Sequence, residues 1–187
     1  MGTLSFTATV SLDGYAADAS GDFQWSAPDG EVFQFHIERM AAVSTEVLGR
    51  RTYQLMRYWE AEPEAEAWTA AEHEFARRWR HVEHIVASST LARTDLGPGD
   101  SRLVPHLDLA ELERIVAEAD GEVEIFGPTT ASAAIRAGLV QDFRFFVVPK
   151  VVGGGLPALP SDARLELDLR EQRVFGNGTV YLHYAPR

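Results

Sequence analysis

Apolar and polar positions along the chain fall into short extended runs separated by longer runs of helical period. Residues 3–12 (TLSFTATVSL) predict a buried first strand. Residues 13–28 are rich in Gly, Asp and Ser, carry Phe23 and Trp25, and read as a loop. Phe33, Ile37, Met40 and Ala41 share one stripe of a helix over 30–41, and Asp29 stands where its cap belongs. A short strand at 45–49 and a helix at 52–58 follow. Six Glu among residues 60–74 mark a solvated lead-in, after which Trp68, Ala71, Phe75 and Trp79 share a face of a helix over 68–80. That helix feeds a strand at 82–88. A helix over 108–119 has Asp108 as cap and Glu111 three residues on, the spacing of a capping box. Gly121 is placed to stop it. Residues 122–127 form a strand, and 129–137 a short helix ended by Gly138. In the tail, residues 142–149, 164–174 and 178–185 read as strands, with a hairpin turn at Gly176-Asn177-Gly178. Strands alternating with helices, then strands alone, predict an α/β fold: a mainly parallel, helix-flanked sheet with an antiparallel edge.

The chain has 187 residues, which suits one domain, and a formal net charge of −11. That charge argues against a general nucleic-acid binder or a membrane-surface protein, since phosphate and anionic lipid both select a basic face. One small anion held by a local Arg cluster stays open. Cysteine is absent, which removes disulfides, thiolate nucleophiles and Cys-ligated zinc together. The opening MGTLSFTATV has neither a basic n-region nor a long apolar core, so no signal peptide is expected, and a cytoplasmic protein is the expectation.

In open α/β sheets ligands gather beyond the carboxyl ends of strands. Three strand-to-helix junctions carry unusual chemistry there. At Gly49-Arg50-Arg51-Thr52 a strand ends in Gly and two Arg follow, a setting for phosphate. Ser88-Ser89-Thr90 places three hydroxyls after a strand. Phe126-Gly127-Pro128-Thr129-Thr130 combines a Gly that permits close approach, a Pro open to a cis bond, and Thr129 as helix cap. Each is also compatible with an ordinary turn or cap. Asp13-Gly14 ends the first strand with a carboxylate, and Gly153-Gly154-Gly155 permits a nest of N–H groups. Neither G-x-G-x-x-G nor the P-loop pattern occurs, no H-E-x-x-H places the six His as zinc ligands, and no G-x-S-x-G marks a serine hydrolase. No metal site is expected.

In order, SLDG, EVLGRRTY, VASSTL, IFGPTT and AGLVQDFRFFVVPKVVGGG with a terminal hairpin form one pattern over about residues 3–185. It resembles the dihydrofolate-reductase-like superfamily, in the branch of the riboflavin-pathway reductase domain and its stand-alone relatives. The resemblance implies a three-layer fold around a mixed, mostly parallel sheet of about eight strands. It also implies NADPH as hydride donor. Gly49, Arg50, Arg51 and Thr52 would then follow the adenosine phosphates, Arg50 with Ser88 and Ser89 would meet the 2′-phosphate, and Phe126, Gly127, Pro128, Thr129 and Thr130 would sit at the diphosphate. The family usually has Gly-Gly where this chain has Gly127-Pro128. Arg with Ser suits a 2′-phosphate, where NAD-type sites carry an acid for the ribose.

By the same resemblance, Trp25-Ser26-Ala27-Pro28-Asp29 matches the segment that anchors a pterin in dihydrofolate reductases. Asp29 is thus one candidate acid, with Glu31 as its neighbour, and Asp13 is the other. Trp25, Phe33 and Gly154 are candidate substrate contacts. The Asp29-to-Gly49 spacing exceeds that of folate-reducing enzymes, and the zinc-deaminase signature with its paired Cys is missing. The expectation is a stand-alone NADPH-dependent reductase of a small pyrimidine- or pterin-like, carbonyl or imine compound. A true dihydrofolate reductase and a non-catalytic NADPH-binding oligomer are the alternatives. A homodimer paired near VVPKVVGGG is expected.

Overall fold

The computed structural model describes residues 2–97 and 101–187. In chain order these hold β1 (Thr3–Ser11), β2 (Tyr15–Ala17), α1 (Gly30–Arg39), β3 (Val43–Gly49), α2 (Arg50–Met56), α3 (Ala70–Trp79), β4 (Glu83–Ala87) and β5 (Ser101–Val104). Then come α4 (Leu109–Glu118), β6 (Glu122–Phe126), α5 (Pro128–Arg136), β7 (Asp142–Val148), β8 (Leu156–Pro157), β9 (Leu167–Val174) and β10 (Val180–Pro186). Eight strands form one sheet in the order β5-β4-β3-β6-β1-β7-β10-β9, and β2 with β8 makes a separate antiparallel pair. Pairing is parallel from β5 to β7 and antiparallel at β10 and β9. This is the mixed, mostly parallel α/β sheet with an antiparallel C-terminal end that the sequence predicts.

The two faces of the central strands differ in chemistry. Leu4, Phe6, Ala8 and Val10 of β1, Val47 of β3, and Val123 and Ile125 of β6 pack with Leu112 and Ile115 of α4 and Ala131, Ala134 and Ile135 of α5. Burying such a side chain stabilises by about 1.5–3 kcal/mol. The alternate positions, Ser5 and Thr7, Glu46, and Glu124, are polar yet buried. They form the opposite face, where α1 and the aromatics of α3 lie. Central parallel strands are ordinarily apolar on both faces, so this polar stripe marks the sheet as more than a scaffold.

Several element boundaries differ from expectation. α5 begins at Pro128, not Thr129, because the fixed φ of Pro suits a first helical position and Gly127, at φ 88°, serves as the cap. Thr129 therefore lies inside the first turn. Likewise α2 starts at Arg50, so Thr52 is within it. The Gly127–Pro128 bond is trans. Helix α3 opens on Thr69, whose side chain and that of Glu72 complete a capping box. Asp108 caps α4 by accepting from the Glu111 N–H, but the helix ends at Glu118, short of Gly121. The short strands β2, β5 and β8 are too brief to show a period. Asp29 caps α1 as expected, its carboxylate accepting from the Val32 N–H at 3.0 Å.

Candidate functional site

Strands β4, β3 and β6 lie side by side, with Gly49 opposite Ala87 and Leu48 opposite Phe126. Their carboxyl ends thus form one row, and the three junctions singled out in the sequence stand next to one another along it. From β3 the chain passes outward to β4, and from β6 it crosses to β7 on the far side of β1. The crevice between β3 and β6 is therefore a topological switch point, the place where such sheets hold ligands.

Two glycines keep the crevice open. A Cβ on Gly49 would lie 2.5 Å from Thr130 Oγ1, and one on Gly127 would lie 3.3 Å from Thr52 Oγ1. Thr52 and Thr130 hence face the same small space from two helices. In α5 the Ala131 N–H bonds Gly127 O at 3.0 Å. Pro128 has no N–H, which leaves the Thr129 and Thr130 amides open at the positive end of that helix. At the outer end of the row Arg50 Nη1 donates to Thr90 Oγ1 at 2.9 Å. Ser88 is buried, and its hydroxyl accepts from the Thr90 and Leu91 N–H groups at 3.2 and 3.1 Å. Ser88 thus shapes the turn, while Ser89, Thr90, Arg50 and Arg51 are exposed and point their polarity outward.

Two cavities of about 240 Å³ each lie beyond this row and share Pro28. Trp25 lines the first with Thr9, Phe146, Lys150 and Asn177. Phe33 lines the second, stacked on Phe75 at 5.2 Å and on Trp59 at 5.9 Å. The structure thus separates Trp25 from Phe33. Phe126, next to Gly127, lines the second cavity.

The candidate acids are placed unlike one another. Asp13 is exposed, and its two oxygens accept from the N–H groups of Val152 and Gly153 at 3.1 and 2.8 Å. The Ser11 hydroxyl and these amides hold its carboxyl below the ordinary range, so it is an anion clamping the Gly153–Gly155 loop. The expected N–H nest beside Gly154 is therefore partly filled by the chain's own carboxylate. Asp29 is exposed, engaged as the α1 cap, and lines neither cavity. Glu31 accepts from the Gly176 N–H at 2.9 Å and ties α1 to the last hairpin.

Sequence reasoning missed the buried polar stripe. Glu46 is 2% exposed and Glu124 4%, and both line the second cavity with Thr7, His36 and Arg39. Trp79 Nε1 donates to Glu46 Oε2 at 3.0 Å, while burial first and the charge of Glu124 second push the Glu46 carboxyl up to about 8. The Thr7 hydroxyl donates to Glu124 Oε1, and Arg39 Nη2 reaches the same oxygen at 3.2 Å. His36 rests on the Phe146 ring at 4.1 Å, and burial, then the charge of Arg39, lowers it to about 3. The signal was in the sequence: Glu in VSTEVLG and EVEIF stands at positions a doubly covered parallel strand would fill with apolar residues. Among the described residues no cluster of three His, Asp or Glu has a metal-holding arrangement. No helix among them is long and apolar enough to cross a membrane.

Known structures share this architecture. A putative riboflavin biosynthesis protein from Shewanella sp. PV-4 superposes with a TM-score of 0.77 at 20% identity, covering 99% of each chain. RibD from Acinetobacter baumannii gives 0.70 at 16%, covering all of this chain but 58% of its own. A dihydrofolate reductase from Enterococcus faecalis complexed with NADP(H) gives 0.64 at 13%, covering 99% of this chain and 96% of its own. At these identities the likeness shows the fold, the dihydrofolate-reductase-like arrangement expected above. No curated protein matches the chain. The sequence model of the RibD C-terminal domain, however, matches residues 3–181. With the match spanning nearly every element around the crevice, the chain belongs to the RibD C-terminal domain family.

Proposed function

We propose that the chain is an NADPH-dependent reductase of a small heterocyclic, carbonyl or imine compound. The observation that carries this reading is the row of corners at the ends of β4, β3 and β6, closed at its outer end by the Arg50–Thr90 hydrogen bond. The residues present fit a dinucleotide, because a side chain at position 49 or 127 would fill the cradle that Gly leaves open. The Thr129 and Thr130 amides, with the Thr130 and Thr52 hydroxyls, would take the diphosphate beside Gly127, Pro128 and Phe126. Arg50 and Ser89, on the turn that Ser88 holds, would take the 2′-phosphate, and Arg51 would add charge along the adenosine side. When bound, the cofactor supplies a hydride from its nicotinamide ring. The protein's part is to orient the acceptor and exclude water. Trp25 and Phe33 serve this from the two cavities, and Asp13 fixes the loop at Gly154. The likeness to the Shewanella riboflavin biosynthesis protein and to the Enterococcus dihydrofolate reductase complexed with NADP(H) supports the same reading.

The test is a fluorescence titration of purified protein with NADPH, followed by NADPH oxidation on pyrimidine, pterin and quinone compounds. Saturable binding and turnover on one class are expected. No binding at millimolar cofactor overturns the reading, and binding without turnover on any class favours a non-catalytic NADPH-binding protein.

A second copy of the chain is the proposed partner. Val151, Leu156, Leu169 and Val174 are exposed along the C-terminal part. Light scattering should give twice the 20.7 kDa chain mass; a monomer at high concentration contradicts the dimer.

A further inference from the structure

The cavity of Trp25 differs in charge from that of Phe33. Glu46 and Glu124 line the second, whereas no acid lines the first. Thr7 and Thr9, two positions apart on one face of β1, belong to one cavity each. Thr7 donates to Glu124, while the Thr9 side chain makes no hydrogen bond among the described residues. Thr179, just before β10, lines the same cavity as Thr9 and is 3% exposed, and its hydroxyl is likewise without a partner among the described residues. A buried hydroxyl left so is unfavourable unless a ligand completes it. Asn177 Oδ1 accepts from the Thr179 N–H at 2.9 Å, which leaves the Asn177 NH₂ group as a donor. Trp25 and Ser26, by contrast, are already engaged: the Trp25 indole donates to Asp22 O at 2.9 Å and the Ser26 hydroxyl to Phe23 O at 2.7 Å.

Lys150 completes the lining and is the single lysine of the chain. No ion pair among the described residues includes it. In a chain of net charge −11, a cation and three uncharged donors therefore line one cavity that holds no acid. The charges just outside limit what enters. Glu31 accepts from the Gly176 N–H at 2.9 Å, one residue before Asn177, and Asp29 caps α1 one residue after Pro28. One ammonium facing two such carboxylates suits a monoanion and disfavours the dianion of a phosphate monoester.

On the reductase reading above, we propose that the compound to be reduced carries a carboxylate, held in the Trp25 cavity by Lys150 with Thr9, Asn177 and Thr179. The two carboxylate oxygens take the ammonium and the neutral donors together. Trp25 and Phe146 supply apolar walls, and about 240 Å³ admits one flat ring beside the charged group.

A single lysine makes the test direct. Protein grown with isotope-labelled lysine gives one side-chain NMR signal, and benzoate, the probe, should move it saturably. Calorimetric affinities are then compared across wild type, Lys150→Met, Lys150→Arg and Thr179→Val. Benzoate should bind at least tenfold more weakly to Lys150→Met, as expected for loss of a charge-assisted hydrogen bond. Lys150→Arg should stay within threefold of wild type, and Thr179→Val, which keeps the shape, should lose at least threefold. On wild type, benzamide and phenyl phosphate should both bind more weakly than benzoate. A Lys150 signal unmoved by benzoate, or equal benzoate affinity in Lys150→Met or Thr179→Val, overturns the site. Benzamide or phenyl phosphate binding as tightly as benzoate overturns the carboxylate as its ligand. NADPH is titrated into the same samples. Wild type that fails to bind NADPH overturns the reductase reading, and with it the assignment of the carboxylate to a reduced compound, whereas intact NADPH binding without benzoate binding overturns this proposal alone.

Discussion

Arg50 donates through Nη1 to the hydroxyl of Thr90 at 2.9 Å, forty positions along the chain. This bond fastens the corner after β3 to the turn after β4, because the strands that carry them are paired from Thr45–Glu83 to Gly49–Ala87. An exposed guanidinium held by one neutral hydroxyl keeps most of its donors free. On the proposed reading it serves as a pre-placed fork for a phosphate rather than as one half of an ion pair.

Gly127 has φ 88° and ψ 125°, outside the left-handed helical region and in a conformation that an L side chain adopts only at a cost of about 1–3 kcal/mol. Gly127→Ala should lower stability by that amount, read as a fall in Tm, and weaken NADPH because the new Cβ enters the crevice beside Thr52. An unchanged Tm would mean that the backbone there is not held as described.

Glu46 binds a proton in the folded chain up to about pH 8, against an ordinary value of 4.5. Between those values the unfolded chain releases a proton that the folded chain keeps, so wild type loses stability as pH rises through the window and levels off above it. Glu46→Gln lacks this loss. Its Tm should exceed that of wild type by a margin that grows from pH 5 to pH 8. His36 and His84, neutral when folded, destabilise both proteins alike at lower pH. Parallel Tm curves would contradict an acid Glu46.

Arg144 and Glu122 form a two-pronged ion pair on the buried polar face, with contacts at 2.5 and 3.0 Å. Arg144→Ala should cost about 3 kcal/mol in denaturant unfolding, since it leaves a carboxylate buried among Ser5 and Arg39 without its main partner. A loss under about 1 kcal/mol would show that solvent reaches Glu122.

Much of the fold was legible because its signals are local. Helical stripes, the Asp29 and Asp108 caps and the Gly176–Gly178 turn each need only a few neighbouring residues. The corners at Gly49, Ser88 and Gly127 were legible too, as Gly and hydroxyls at strand ends. Their assembly into one row depends on β6 inserting between β3 and β1, which no local pattern encodes. The start of α5 at Pro128 was misplaced because Thr129 looked like a cap, whereas Pro itself opened the helix. Glu46 and Glu124 were visible as misfits in apolar strands. Their meaning depended on sharing a face beneath α1, a relation set by register and not by spacing.

The proposed cofactor site requires Arg50 to meet a 2′-phosphate, and NADPH and NADH differ only in that group. Titration of wild type and Arg50→Ala with both dinucleotides is the direct measurement. A charge-assisted hydrogen bond of about 1.5–3 kcal/mol predicts that the variant loses roughly 10- to 100-fold in NADPH affinity, with NADH changed less than twofold. Equal losses for the two dinucleotides, or NADPH binding untouched by the substitution, would contradict it.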